Sequence, residues 1–173
     1  MKKIVFFVLI TAFAMVSFAK SDLKVKSGSI AFTKEQVKVC VQFDFSGARW
    51  DKDDDFKTWC GDDYETRLKI AKNSFIKGFN DKSKGAVVGD SKDGAKYRMV
   101  IKIDNMDWRQ SMGMWGQMYV LCWGSIEVID MTNGQSVCTI EIDGANGAGD
   151  FVPNDRFAKC FETVGETLAK MKK

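Results

Sequence analysis

Residues 117–143 read QMYVLCWGSIEVIDMTNGQSVCTIEID, and their pattern decides most of what can be said about the fold. Two runs rich in β-branched and aromatic residues flank Thr132-Asn133-Gly134, and Asn-Gly between alternating apolar runs is a strong hairpin signal because both residues tolerate positive φ. A loop of only Asn133 and Gly134 would set Ile140 against Glu127. A three-residue loop, Thr132 to Gly134, instead pairs Cys138 with Val128 and Ile140 with Ile126, with Gly134 left-handed in a bulged turn. That register gathers Val120, Cys122, Ile126, Val128, Cys138 and Ile140 on one face, which a one-residue slip would scatter. The opposite face carries Tyr119, Leu121, Trp123, Ser125, Glu127, Thr139 and Glu141, polar near the turn and aromatic at the far end.

Working outward, Val37 to Phe45 alternates apolar and polar residues like a half-buried strand, with Cys40 on the side away from its apolar face. Leu23 to Phe32 reads as a weaker strand broken at Ser27-Gly28. Tyr97 to Ile103 is a further strand. Tyr64, Leu68, Ala71, Phe75 and Phe79 make one apolar stripe on a helix from about Asp62 to Asn80. Phe157, Cys160, Phe161, Val164 and Leu168 do the same on a last helix that begins at Pro153-Asn154. Residues 104–116 and the glycine-rich 144–150 read as loops. The expected architecture is α+β: a mostly antiparallel sheet of about four to five strands with two amphipathic helices packed on one face.

At the start of the chain, Lys2 and Lys3 precede an apolar run from Ile4 to Phe18 and a small-x-small Ser17-Phe18-Ala19, the pattern of a secretory signal peptide over residues 1–19. A single domain over residues 20–173 is expected to follow, in the periplasm or secreted. The leader carries two lysines and no acid, so its removal lowers the formal net charge from +3 to +1. So small a balance argues against nucleic acid or an anionic membrane as partner. Five cysteines stand at 40, 60, 122, 138 and 160. An odd number leaves one thiol over, and the expected bridge joins Cys60 to Cys160 on the two helices.

The chain has no histidine. Ser-His-Asp and Cys-His catalysis and the common zinc sites are thereby excluded, and the reading is of a protein that is not an enzyme and takes no cofactor. Asp51, Asp53 and Asp55 match the first ligand positions of a calcium loop, but Phe56 stands where that loop needs glycine. The remaining constellation is the aromatic and methionine-rich stretch 105–123, with Trp108, Arg109, Met112, Met114, Trp115, Tyr119 and Trp123 as ligand-binding candidates. Such side chains suit sugar rings or peptides, and they also serve to cap a core. The partners expected are a glycan, a peptide or an envelope protein. The alternative is a self-associating structural protein whose sheet face is a homodimer interface.

The run IEVIDMTNGQSVCTIEIDG, a glycine-rich loop and a closing helix ending in VGETLAK resemble the C-terminal part of the small α+β domain shared by the curli-secretion lipoprotein and related periplasmic assembly factors. Val128, Asp130, Thr132 and Val137 stand near that domain's V-x-D-x-x-T-G-x-x-V positions, over residues 117–173. The resemblance implies an envelope compartment and an α+β fold, and no functional residue.

Overall fold

The computed structural model describes residues 22–110, 118–148 and 153–171, so the leader 1–19 lies outside the described residues. Its centre is the hairpin of β7 (Met118–Asp130) and β8 (Ser136–Ala148). Ile126 pairs with Ile140 and Val128 with Cys138, the register expected from the apolar pattern. The turn itself differs. Asp130 N–H donates to Gln135 O at 2.9 Å and Gly134 N–H to Asp130 O at 2.8 Å, so four residues, Met131 to Gly134, form the loop. Asp130 Oδ1 holds it by accepting from Thr132 N–H and Oγ1–H at 2.8 and 2.6 Å, and Gly134 has φ +73°. An extra residue in β8, Val137, then restores the phase, because Ile129 pairs with Ser136 while Val128 pairs with Cys138.

The expected sheet of four to five mostly antiparallel strands is corrected on both counts. Among the described residues, eight strands form one mixed sheet. β1 (Leu23–Gly28) flanks β8, and the 16-residue β6 (Ala95–Gln110) flanks β7, both antiparallel. Beyond β6 the sheet turns parallel: β2 (Lys38–Asp44) runs beside β6 as far as Lys102, and β5 (Val87–Gly89) lies outside β2. Past the end of β2, the two-residue β3 (Arg49–Trp50) takes over beside β6 at Asn105 and Met106, and pairs with β4 (Asp54–Asp55). The parallel pairing follows from the chain's route, since after β2 the chain returns beside it, as β5 and β6, only once α1 (Phe56–Cys60) and α2 (Tyr64–Lys82) have made the crossing.

Two of the loops expected from sequence are strand. Residues 104–110 continue β6 and residues 144–148 continue β8. Both were hidden by a bulge: Ile103 pairs with Gly124 but Asn105 with Trp123, and Cys122 pairs with Ala145 but Trp123 with Asp143. Each extra residue, Asp104 and Gly144, inverts the alternation beyond it. Met106 and Trp108 thus continue the inward set of Ile101 and Ile103, and Ala145 and Gly147 continue that of Ile140 and Ile142.

The helices α2 and α3 (Pro153–Lys170) pack on one face, α3 over β7 and β8 and α2 towards β2 and β5. Phenylalanines fill the layer between. Phe43 meets Phe75 at 5.8 Å and Phe161 at 5.7 Å, both edge-on, and Phe157 meets Phe161 at 5.1 Å. Phe75, Phe79, Phe157 and Phe161 are fully buried, worth about 1.5–3 kcal/mol each in removal from water. Among the described residues, the other face carries no helix and is lined with ion pairs. Lys24 pairs with Asp143 at 2.6 Å, Lys26 with Glu141 at 3.0 Å and Lys102 with Asp104 at 3.0 Å.

Candidate ligand cleft around Trp123

The double bulge divides the residues of the 105–123 stretch between the two faces. Trp108, opposite buried Val120, lies on the helix side, edge-on to Trp50 at 5.8 Å and beneath the Arg156 guanidinium at 5.8 Å. Trp50 stacks on Trp59 at 3.6 Å, and Trp59 carries Arg67 at 4.8 Å. Trp108 therefore closes the end of the core. Arg109, Tyr119 and Trp123 lie on the helix-free face, where Arg109 is ion-paired with Asp107 at 2.6 Å and stands opposite Tyr119. Met112, Met114 and Trp115 lie outside the described residues.

Trp123 stands where both neighbouring strands bulge, and it is half-buried. Gly144 lies against it. With φ +70° the residue is in the left-handed region, and a Cβ there would sit 3.4 Å from the indole Nε1. Register then lays a row of side chains across the strands: Arg49 on β3, Asn105 on β6, Trp123 on β7 and Asp143 on β8, the last ion-paired to Lys24 on β1.

A tight turn after β3 adds Lys52. Asp51 and Lys52 both have positive φ, +50° and +71°, a conformation that costs a non-glycine residue about 1–2 kcal/mol. Three hydrogen bonds hold it: Asp51 N–H to Met106 O at 2.8 Å, Lys52 N–H to Asn105 Oδ1 at 3.0 Å, and Arg49 Nη1 to Asp53 O at 3.2 Å. Arg49, Lys52, Asn105 and Trp123 together line an open cleft of about 350 Å³, at the small end of ligand-site volumes. Two exposed cations, an indole and an amide thus share one cleft. Trp123 was legible in the sequence. Arg49, Lys52 and Asn105 were not, because only the parallel β3–β6 pairing, across more than fifty residues, brings them together.

The acidic turn serves another purpose than calcium. Among the described residues no group of three or more acids or cysteines converges as a metal site, so Asp51, Asp53 and Asp55 do not form one. Asp55 caps α1, its Oδ1 accepting from Thr58 N–H at 2.8 Å and Oγ1–H at 2.9 Å, and those bonds hold its carboxyl below its ordinary value. All five cysteines are buried free thiols, and the expected Cys60–Cys160 bridge is not formed. Burial pushes the Cys60 thiol up to about 11 and raises Cys138 as well. Cys160 rises through its hydrogen bond with Cys122 and through burial. These three thiols are thereby moved away from the thiolate that a nucleophile requires.

No family model and no curated protein matches the chain, so the curli-secretion-type resemblance of residues 117–173 has no counterpart in either. Among solved structures the chain is similar to the PelC dodecamer of Paraburkholderia phytofirmans. That match has 16% identity and a TM-score of 0.43, and covers 84% of this chain and 96% of that one. A point variant of the same dodecamer matches at 16% identity and a TM-score of 0.43, covering 87% of this chain and 98% of the variant's. Among the described residues, no helix is long and apolar enough to cross a membrane.

Proposed function

We propose that this chain is an exported, non-enzymatic binding domain that takes a sugar ring bearing an acidic group, as part of a glycan, in the cleft around Trp123. The observation that carries the reading is the cleft's composition. An indole set against Gly144 offers a flat apolar face to a pyranose, Asn105 offers an amide to hydroxyls, and Arg49 and Lys52 offer cations to a carboxylate. The row is preorganised by three strands and by the hydrogen-bonded turn at Asp51-Lys52, so little is spent ordering it. Export rests on the basic, apolar and small-x-small pattern of residues 1–19.

The test is calorimetric titration with uronic-acid oligosaccharides and with neutral ones of equal length. Acidic oligosaccharides should bind, and binding should weaken with added salt. Trp123→Ala should weaken it by about tenfold or more, the equivalent of ~1.4 kcal/mol, and Arg49→Ala should remove the preference for acid. Equal binding of acidic and neutral sugars would refute the charge assignment. Absence of any binding, together with a mass by light scattering that doubles with concentration, would favour self-association through the same face.

A further inference from the structure

We infer that Cys122 and Cys160 are a disulfide-forming pair that ties α3 to the central strand β7 when the chain meets an oxidant. Both side chains are fully buried, and both cysteines lie beside Ala145. The backbone explains the meeting. Cys122 pairs directly with Ala145 across β7 and β8, and the Cys160 Sγ–H donates to the carbonyl of that same Ala145 at 3.3 Å. α3 lies close enough to β8 there that a Cβ on Gly147 would come within 2.2 Å of Cys160 N. The other thiols have different surroundings. Cys40 donates to Asp90 O at 3.6 Å, Cys138 sits beside Val128 and Gly28, and Cys60 lies among Arg67, Asp63 and Asp55. One pair with three thiols left over accounts for the odd count of five.

The chemistry is thiol–disulfide exchange with a small-molecule or protein disulfide as oxidant. One cysteine, as thiolate, attacks a sulfur of that disulfide, forms a mixed disulfide and releases the first thiol of the oxidant. The thiolate of the other cysteine then attacks its partner's sulfur in the mixed disulfide, forms the Cys122–Cys160 bond and expels the second thiol. The pair loses two electrons, the oxidant gains them, and the two cysteine protons end on the two released thiols. Because both sulfurs are enclosed, exchange takes place before α3 is fully docked, and the docked helix then shields the bond from reductant. The bond would bridge the sheet and the helix across the segment that contains the hairpin turn and the β8–α3 connection.

The full chain, unfolded and reduced, is refolded in a buffer of reduced and oxidised glutathione. It is then denatured, alkylated and mapped by peptide mass. The expected result is one linked peptide pair joining the segments of Cys122 and Cys160, with Cys40, Cys60 and Cys138 alkylated. Variants Cys122→Ser and Cys160→Ser, mapped in the same way, should show every remaining cysteine alkylated, and this readout holds even where a variant folds poorly. A variant carrying Cys40→Ser, Cys60→Ser and Cys138→Ser together should still form the bond. Full alkylation of the wild type, or a link that uses Cys40, Cys60 or Cys138, would overturn the inference.

Discussion

Replacing Gly165 by alanine tests whether the two helices are held by backbone contact. Gly165 on α3 faces α2 so closely that an added Cβ would lie 2.4 Å from Phe75 O and 2.8 Å from Phe79 N. The relation is reciprocal, since a Cβ on Gly78 of α2 would lie 2.2 Å from Glu162 O. Ordinary contact for such atoms begins near 3.4 Å, so Gly165→Ala must open the crossing by roughly an ångström, because neither obstacle is a side chain that can turn away. Two effects oppose each other. Alanine is the better helix former by about 1 kcal/mol, while overpacking costs about 1–3 kcal/mol and sometimes more. A backbone overlap belongs at the upper end, and the buried Phe75, Phe79, Phe161, Val164 and Leu168 around the crossing lose contact as it opens. The expected net loss is about 2 kcal/mol, a fall in Tm of about 4–8 °C for a domain of this size. Urea unfolding read by far-ultraviolet circular dichroism measures it. The combined Gly78→Ala and Gly165→Ala variant should lose less than the sum of the singles, because one separation relieves both overlaps. Gly89→Ala, whose Cβ would meet nothing within 4 Å, is the control, and should stay within about 0.5 kcal/mol of wild type. Stabilisation by Gly165→Ala would show that propensity outweighs packing here and that the close crossing is wrong.

Three further expectations follow from the site and from the titrating groups. Gly144→Ala places a strained residue at φ +70° against the Trp123 indole; saccharide binding should weaken although no charge changes, which calorimetry reads, and unchanged affinity would detach Gly144 from the site. The Cys60 thiol is raised by burial from 9.0 to about 11. Its contribution is therefore fully present below pH 9 and is lost as pH rises towards 11, because only the unfolded chain ionises there; wild-type stability should fall faster over that window than that of Cys60→Ala, as followed by urea unfolding. Glu162 is held below its ordinary 4.5 by Lys159 and Lys77, so it contributes above that pH and the contribution is lost as pH falls through the folded value. The stability gap between wild type and Glu162→Gln should close on acidification, and a gap independent of pH would refute the pairing.

How far the sequence foretold the molecule depends on where the two-residue period survives. Between Val128 and Ile126 and their partners it does, and the paired core of the hairpin could be placed to the residue from apolar alternation alone. At the turn, a local hydrogen-bonding choice by Asp130 took a fourth residue into the loop, and Val137 repaid the phase. A pattern argument sees the restored phase on both sides and has no access to the intervening bulge. The parallel strands were harder still. Arg49-Trp50 and Val87–Gly89 are too short to show a period, and each is a strand only through the edge it is offered, by β6 to the first and by β2 to the second.

The same bulges explain why the aromatic stretch reads so differently in three dimensions. Trp108 and Trp123 sit fifteen positions apart along the chain, and without Asp104 and Gly144 the alternation would carry different residues to each face. A bulge on β6 sets Trp108 inward, where it closes the core with Trp50 and Trp59. On β8 the bulge at Gly144 brings the backbone against the Trp123 indole. One stretch thus supplies both a core plug and the floor of a cleft, and core capping and ligand binding belong to different tryptophans. The distinction has a measurable consequence. Trp108→Ala removes a half-buried ring packed on Trp50 and against the core, and should cost about 2–3 kcal/mol of stability, the low end of large-to-small core changes. Trp123→Ala should cost much less stability and spend its effect on binding. Equal losses of stability at the two positions would place both rings in the core and leave the cleft without a floor.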